Sequence, residues 1–415
     1  MKKIRRAVAM LIASAMLLGF AGCQKEVTAE NLTENVNAEN ASEVDLDDDF
    51  CKKYSTFAFK LLQNMYESDE KNVVISPLSV SYNLGLLYNG ANGDTTDQLR
   101  GILGTSLNVN EMNVYMHSYN ERLTDSDLTT LYFNNAMWVN ADKSVTPSQA
   151  FLQANATYYG NAIYKESFNA DAVTNISNWI SNETNQNVEY IVDSLPADAP
   201  IYMLSSLMFD ATWSKQYSYQ NIQKSAFTTA SGQEQEAQMM SAFEYSYIHD
   251  ELAKGFIKEY SGGNYAFIAL LPEENIKMKD YIGRLAVGDK YAPLLKSKRP
   301  DVIDVTMPKF TCEYRGGMSD ILTKMKLGRA FDSNSGDLSM LGTSDGRLYA
   351  GDLFVRNSFS VTEKGTSKGT AASVADDNNA ATNTHVISLT RPFMFMVVDT
   401  NYNLPVLLGV VNSME

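Results

Sequence analysis

Hydrophobic and polar positions alternate most cleanly toward the C-terminus. "FVRNSFSV" sets Phe354, Val355, Phe359 and Val361 among polar residues and predicts a strand. "FMFMVVDT" and "LPVLLGVV" are apolar runs that predict two buried strands joined by a turn at Asn401 to Asn403. In the N-terminal half, "KNVVISPLSVSYNLGLLYNGANGDTTDQL" predicts a short strand, Val73 to Ile75. Pro77 then stands in the first turn of a helix whose apolar positions include Leu84, Leu87 and Tyr88. Gly90, Ala91 and Gly93 end that helix, and Thr95 is expected to cap the next. Helix comes first, mixed elements follow, and the C-terminal half is rich in strands with no internal repeat. That order is α+β.

One stretch breaks the pattern. In "SVTEKGTSKGTAASVADDNNAATNTHVISLTRPF", Ser360 to Phe393, everything between Gly365 and Pro392 is small, polar and unpatterned. It exceeds the roughly 12–15 residues that structureless loops reach in compact domains, so it is either disordered or functional. Strand signals flank it on both sides, so a loop here is held at both ends.

Composition narrows the function. The 415 residues are 44% hydrophobic and 20% charged, enough for a large core in one compact unit or two domains. A net charge of -15 and a pI near 4.8 argue against nucleic acid, whose phosphates need clustered Lys and Arg. The opening "MKKIRRAVAMLIASAMLLGFAGCQKE" has a basic start, an apolar run from Ala7 to Phe20 and small residues before Cys23, which predicts a secretory leader over residues 1–22. "FAGC" resembles the bacterial lipoprotein lipobox, with Phe20 in place of the usual Leu, and makes Cys23 the expected lipidation site and sole membrane attachment. Residues 23–49, rich in Asn, Glu and Asp, read as an acidic flexible tether, with the folded domain starting near Phe50.

Enzyme signatures are missing. His117, His249 and His385 are the only histidines; none has a second ligand at helical or hairpin spacing, so no zinc site or other cofactor is expected and each reads as a surface residue. The chain lacks G-x-S-x-G, G-x-x-x-x-G-K and G-x-G-x-x-G. "DSNSGD", Asp332 to Asp337, starts like a calcium loop but breaks its spacing at Gly336 and lacks the closing Glu, so it reads as a turn. Cys51 and Cys312 read as two free thiols more readily than as a bridge.

The chain from Phe50 to Glu415 resembles the serpin family. The resemblance rests on N-x-x-x-S-P-x-S at Asn72 to Ser79, the G-A-x-G-x-T turn at Gly90 to Thr95, and Gln98. "LYFNNAMWVN", "ISNWISNETNQNVEYIV", "LSSLMFDATWSKQY", "ALLPEE", "VTMPKF", "RPFMFMVV" and "LPVLLGVV" follow in the family's order. The resemblance implies a fold of about nine helices and three β-sheets with an exposed reactive-centre loop at about 363–390. It implies no catalytic residue but a suicide inhibitor of serine proteases, a monomer that forms a covalent acyl-enzyme complex. After cleavage the loop inserts into the central sheet as a new strand. About fifteen residues at about 3.3 Å each would carry the protease on the order of 50 Å.

Residue by residue, "TEKGT" makes Glu363, Gly365 and Thr366 the hinge, Ser76 and Ser79 the shutter beneath the parting strands, and Trp213 the breach tryptophan. Val355 and Ser205 stand where the family commonly has a His and an Asn that bond each other. Period two points Thr366, Lys368, Thr370, Ala372, Val374 and Asp376 into the core. A buried Lys368 would cost several kcal/mol. "KGTAAS" repeats the hinge four residues on, so Gly369, Thr370, Ala371 and Ala372 form a second candidate hinge that leaves Lys368 at the mouth of the sheet.

The scissile region is Asn379, Ala380, Ala381, Thr382 and Asn383, with the bond at Asn379-Ala380, Ala381-Thr382 or Asn383-Thr384 according to the frame used. No Lys, Arg or aromatic residue lies between Gly369 and Thr390, so an elastase-like or subtilisin-like target is expected. The alternatives are a non-inhibitory serpin fold cut as a plain substrate, and an adhesin or ligand-carrying surface lipoprotein.

Overall fold

The computed structural model describes residues 24–66, 71–123, 129–190, 192–288, 290–366 and 384–414. Among these residues it contains nine α-helices and three multi-stranded sheets. The large sheet runs in the order β1 (Glu30–Asn31), β5 (Ala162–Glu166), β3 (Thr129–Asn140), β6 (Ile201–Thr212), β16 (Gly365–Thr366), β15 (Ala350–Val361), β13 (Phe310–Gly317). The second sheet runs β2 (Val73–Ile75), β19 (Pro405–Val411), β18 (Phe393–Asp399), β11 (Tyr265–Pro272), β10 (Ala253–Glu259), β9 (Tyr247–His249). The third runs β17 (Thr384–Ser388), β12 (Val302–Pro308), β8 (Glu234–Glu244), β7 (Ile222–Thr228), and a small ribbon joins β4 (Thr146–Pro147) to β14 (Gly342–Thr343).

Local chemistry accounts for the helices that frame the sheets. In α1 (Asp48–Met65), Asp47 accepts from the Phe50 amide at 2.8 Å, and Asp48 and Asp49 face the positive end of the helix dipole. Its inner stripe buries Phe57, Leu61 and Leu62, each worth roughly 1.5–3 kcal/mol. In α2 (Pro77–Gly90), Ser76 caps the Ser79 amide at 3.1 Å ahead of Pro77, and nearly every residue is buried because the helix runs through the core. The next helix, α3 (Gly93–Ile102), starts after Asn92. Thr95, expected as its cap, lies inside the first turn, buried, where its hydroxyl accepts from the Asp337 amide. Tertiary pairing has overridden the local cap.

Helix α4 (Val109–Arg122) carries a capping box between Asn108 and Glu111, and α5 (Gln149–Tyr158) is capped by Ser148. Helix α6 (Ala170–Glu183) lies across the outer face of the large sheet. It encloses a second core of Trp138, Ile176, Trp179, Ile180, Tyr202 and Leu204. Short helices α7 (Met278–Ala286), α8 (Tyr291–Lys296) and α9 (Ser319–Lys324) complete the set.

Two expectations need correction. Residues 24–47 are no free tether: they dock along the body. Asn175, Asn178 and Asn182 share one face of α6 and bond the backbone of Thr28, Glu26 and Lys25 at 2.7–2.9 Å. β1 then extends the large sheet through Glu30↔Lys165, and the segment continues past Thr157 and Ser118 to a buried Leu46. An acidic, Asn-rich composition says little about a segment whose partner is a row of side-chain amides. The loop's far end is also shorter than expected, because β17 pairs in parallel with β12 from Val302↔Thr384 to Thr306↔Ser388.

Candidate functional site

The large sheet has a seam. β6 and β15 pair in parallel from Ala350↔Ile201 to Ser358↔Met208, although each has an antiparallel neighbour on its other side. Above that point the two strands separate, and β16 lies between them. Gly365 pairs with Thr212, and Thr366 pairs with both Ala211 and Val361. Of the two candidate hinges, it is Gly365 and Thr366 that occupy the mouth of the seam; Gly369, Thr370, Ala371 and Ala372 lie outside the described residues.

The turn feeding β16 is gripped at each carbonyl. Thr362 O accepts from Trp213 Nε1 at 2.9 Å, Glu363 O from the Tyr217 amide at 3.0 Å, and Lys364 O from the Trp213 amide at 2.9 Å. Gly365 O accepts from the Thr362 amide at 2.8 Å. A side chain at position 365 would put its Cβ 2.0 Å from Ala211 O, so only glycine lets the backbones approach this closely. Thr366 is fully buried, its hydroxyl accepting from the Ala211 amide at 3.2 Å.

Beneath the turn lies Trp213, the residue expected at the breach. Trp213, fully buried, stacks on Tyr260 at 4.4 Å and meets the edge of Phe267. A buried ion pair supports it: Lys258 Nζ is 2.5 Å from Glu244 and lies 4.5 Å and 5.5 Å from the Tyr217 and Trp213 rings. At the hinge, Glu363 pairs with Lys309 at 2.7 Å. Burial pushes the Glu363 carboxyl up, but hydrogen bonds from Lys309, its own backbone and Tyr219 outweigh this and hold it below the usual carboxylate range.

The shutter is built differently from the expectation. Ser205 and Val355 are both buried and face each other across the seam. Ser205 donates to Asn135 Oδ1 at 2.6 Å, and Asn83 Nδ2 bonds both that oxygen and Ser79 O at 2.9 Å. Asn83 and Asn135 therefore carry the polar network, while Ser76 serves as a helix cap and the Ser79 hydroxyl is buried without a partner. Asn83, an amide in the middle of a helix rich in apolar residues, seven residues after Ser76, was the signal available in the sequence. Lys258, in the apolar run "GFIKEY", was another.

The remaining candidates sort plainly. Asn379, Ala380, Ala381, Thr382, Asn383 and Cys23 lie outside the described residues. His117, His249 and His385 are partly exposed at the surface; His385 stacks on Tyr247 at 3.9 Å and meets Asp301 at 3.2 Å, pinning β17. Cys51 and Cys312 are free thiols. Asp332 accepts from the Asn334 amide and the Ser335 hydroxyl, which makes "DSNSGD" a turn.

The family model described as Serpin (serine protease inhibitor) matches residues 52–414. The chain belongs to the serpin family. It is 24% identical to an uncharacterized serpin-like protein of Methanosarcina mazei over 98% of this chain and 97% of that one. It is 25% identical to Iripin-2 of Ixodes ricinus, over 88% and 93% of the two chains. Among solved structures, the thermophilic serpin tengpin in its native state superposes with a TM-score of 0.89 at 32% identity, covering 93% of this chain and all of that one. Tengpin in its latent state gives a TM-score of 0.78 at 31% identity, covering 90% and 100%.

Proposed function

We propose that this serpin is a suicide inhibitor of serine proteases that prefer small residues, elastase-like or subtilisin-like. The observation that carries the reading is β16. Two residues of the hinge already stand between β6 and β15, antiparallel to both, so insertion extends a ladder that has begun. The better match to native than to latent tengpin supports taking this as the state before insertion.

The chemistry belongs to the attacking protease. Its serine oxygen bonds to the carbonyl of the residue before the cut, the peptide bond breaks, and the proton passes to the departing amine. Loop insertion then carries the acyl-enzyme away and distorts it, which stalls attack by water. Of the three candidate bonds, Asn379-Ala380 is the one reached by counting from Gly365, the glycine paired with Thr212.

The second reading, a serpin fold cut as a plain substrate, is favoured by Lys368. Two residues beyond Thr366, it would arrive between Phe209 and Phe359, both fully buried. Burying that ammonium costs several kcal/mol. The outward positions favour insertion instead. Ser367, Gly369, Ala371, Ser373 and Ala375 are all small, as passage beneath α6 requires.

Mixing the mature domain with elastase-like proteases should give a covalent band stable in denaturant, with the cut at Asn379-Ala380 by mass spectrometry. Lys368→Ala should raise the trapped fraction. No band with any protease, for wild type or Lys368→Ala, would leave only the substrate reading.

The inhibitor would be held at the cell envelope by acylated Cys23, two residues before docked Lys25, and so close against α6 rather than at the end of a tether. Cys23→Ala should release it to the medium; unchanged membrane partitioning would rule the anchor out.

A further inference from the structure

A cleft of about 720 Å³ opens between α1, α3 and the end of α9, and none of the residues lining it belongs to β6, β15 or β16. Half-buried Ile102 and Met325 give it an apolar lining, and Lys60, Lys324 and Lys326 stand around them with their side chains reaching solvent. The one acid on its wall, Asp97, is bonded to Arg100 of its own helix. The cleft is cationic.

That runs against the rest of the chain, which has 49 acidic residues to 34 basic ones. Other surface lysines find a carboxylate: Lys53, two turns before Lys60 on the same helix, is 2.6 Å from Asp49, and Lys224 is 2.7 Å from Glu236. Among the described residues neither Lys60 nor Lys326 has one within ion-pairing distance. Gln98 adds a neutral donor. Its Oε1 accepts from the Arg329 amide at 3.0 Å, which holds the side chain in place on the cleft wall and leaves Nε2 without a partner among the described residues.

The backbone at Lys326 is a separate observation. The Lys326 amide bonds Thr323 O at 2.9 Å and the Leu327 amide bonds Leu322 O at 2.8 Å, the paired bonds that close a helix through a left-handed residue. Lys326 is that residue, at φ +74°. Glycine takes this conformation without strain and a lysine does not, so stability alone disfavours the residue found here. Strain kept at a cleft is a mark of function.

We propose that the cleft binds a small amphiphilic carboxylate, an alkyl or aryl acid, with its anionic head held by Lys60, Lys326 and Gln98 Nε2 and its apolar body on Ile102 and Met325. The volume suits such a ligand, and lysine stems extend the apolar lining toward their charged ends. A purely ionic ligand would leave the apolar lining unused, and a neutral lipid would leave the lysines unused. The inference stands apart from the inhibitor reading.

The test is calorimetric titration of the protein with dodecanoate below its micelle concentration, with dodecanol and acetate as the chain-only and charge-only probes. Dodecanoate should fill one saturable site, dodecanol should bind on the order of tenfold more weakly, and acetate should show no saturation. Salt raised from about 0.05 to 0.5 M should weaken the binding. Lys60→Gln and Lys326→Gln should each weaken dodecanoate about fivefold, the contribution of one partly exposed ion pair, and Met325→Gln should weaken it through the chain. Lys326→Gly separates function from folding: it should raise the melting temperature by on the order of 1 °C while weakening binding as Lys326→Gln does. Absence of a saturable site, equal affinity for dodecanol, or binding indifferent to both lysines would overturn the assignment. So would a Lys326→Gly protein that melts lower and binds dodecanoate unchanged, because Lys326 would then serve the fold alone.

Discussion

The second sheet and the large sheet are built from similar strands but to different degrees of completion. In the second, β11, β18 and β19 are buried at every residue, and Gly255 and Gly409 allow approaches so close that an added Cβ would stand 2.0 Å from Ala269 O or 2.3 Å from the Phe395 ring. Nothing more fits there. The large sheet has a parallel seam between β6 and β15 flanked by the antiparallel pairs β3–β6 and β15–β13, a two-residue strand begun at its mouth, and unpartnered polar groups at Ser206 and Asn357 on its strands. Parallel pairing is the weaker kind per residue, and inserting one antiparallel strand would replace it with two antiparallel ladders. The contrast teaches where the inhibitor reading must find its driving force: along one seam of the large sheet, because the second sheet has no room for a further strand.

The largest effect should come from completing the unfinished sheet. A single cut between Val374 and His385 should raise the melting temperature by on the order of 20 °C, because about fifteen new backbone pairs each contribute roughly 0.5–1.5 kcal/mol net. Calorimetry on cut and uncut protein checks this, and equal melting temperatures would mean the seam stays closed.

A smaller effect, on both forms alike, is expected at the corner where the sheets meet. Lys258→Met would strand Glu244 beneath Trp213 and should cost about 3–5 kcal/mol in urea unfolding of intact and cleaved protein. If only the intact form suffered, the breach would have to be counted with the unfinished sheet.

The smallest effect concerns the hinge. Because the folded Glu363 carboxyl is held below its ordinary range, its contribution is fully present above the unfolded value and is lost as the pH falls through the folded one. Melting curves from about pH 6 to pH 3 should show a modest loss in the intact protein that Glu363→Gln lacks. An identical pH profile for the variant would show that Lys309 does not steady the turn.

The sequence by itself determined much of this protein. Period-two alternation set β15 and its inward face, Ser76 and Pro77 set the start of α2, and "EKGT" marked the turn whose glycine admits the Ala211 carbonyl. These are effects of neighbours in the chain, so a local reading finds them. What only the tertiary structure decided are the polar partnerships. Asn175, Asn178 and Asn182 lie on one helix face by spacing alone, but their partners at Lys25 to Thr28 are some 147–157 residues away, and an acidic segment that reads as a tether becomes a docked one. Thr95 left a capping role for Asp337, and Asn135 joined Asn83 to Ser205. Asn357 reads in the sequence as one more polar residue in an alternating strand, and only the closed seam around it leaves its amide unpaired. A hydrogen bond, or the lack of one, depends on which distant strand arrives opposite, and no period along the chain encodes that.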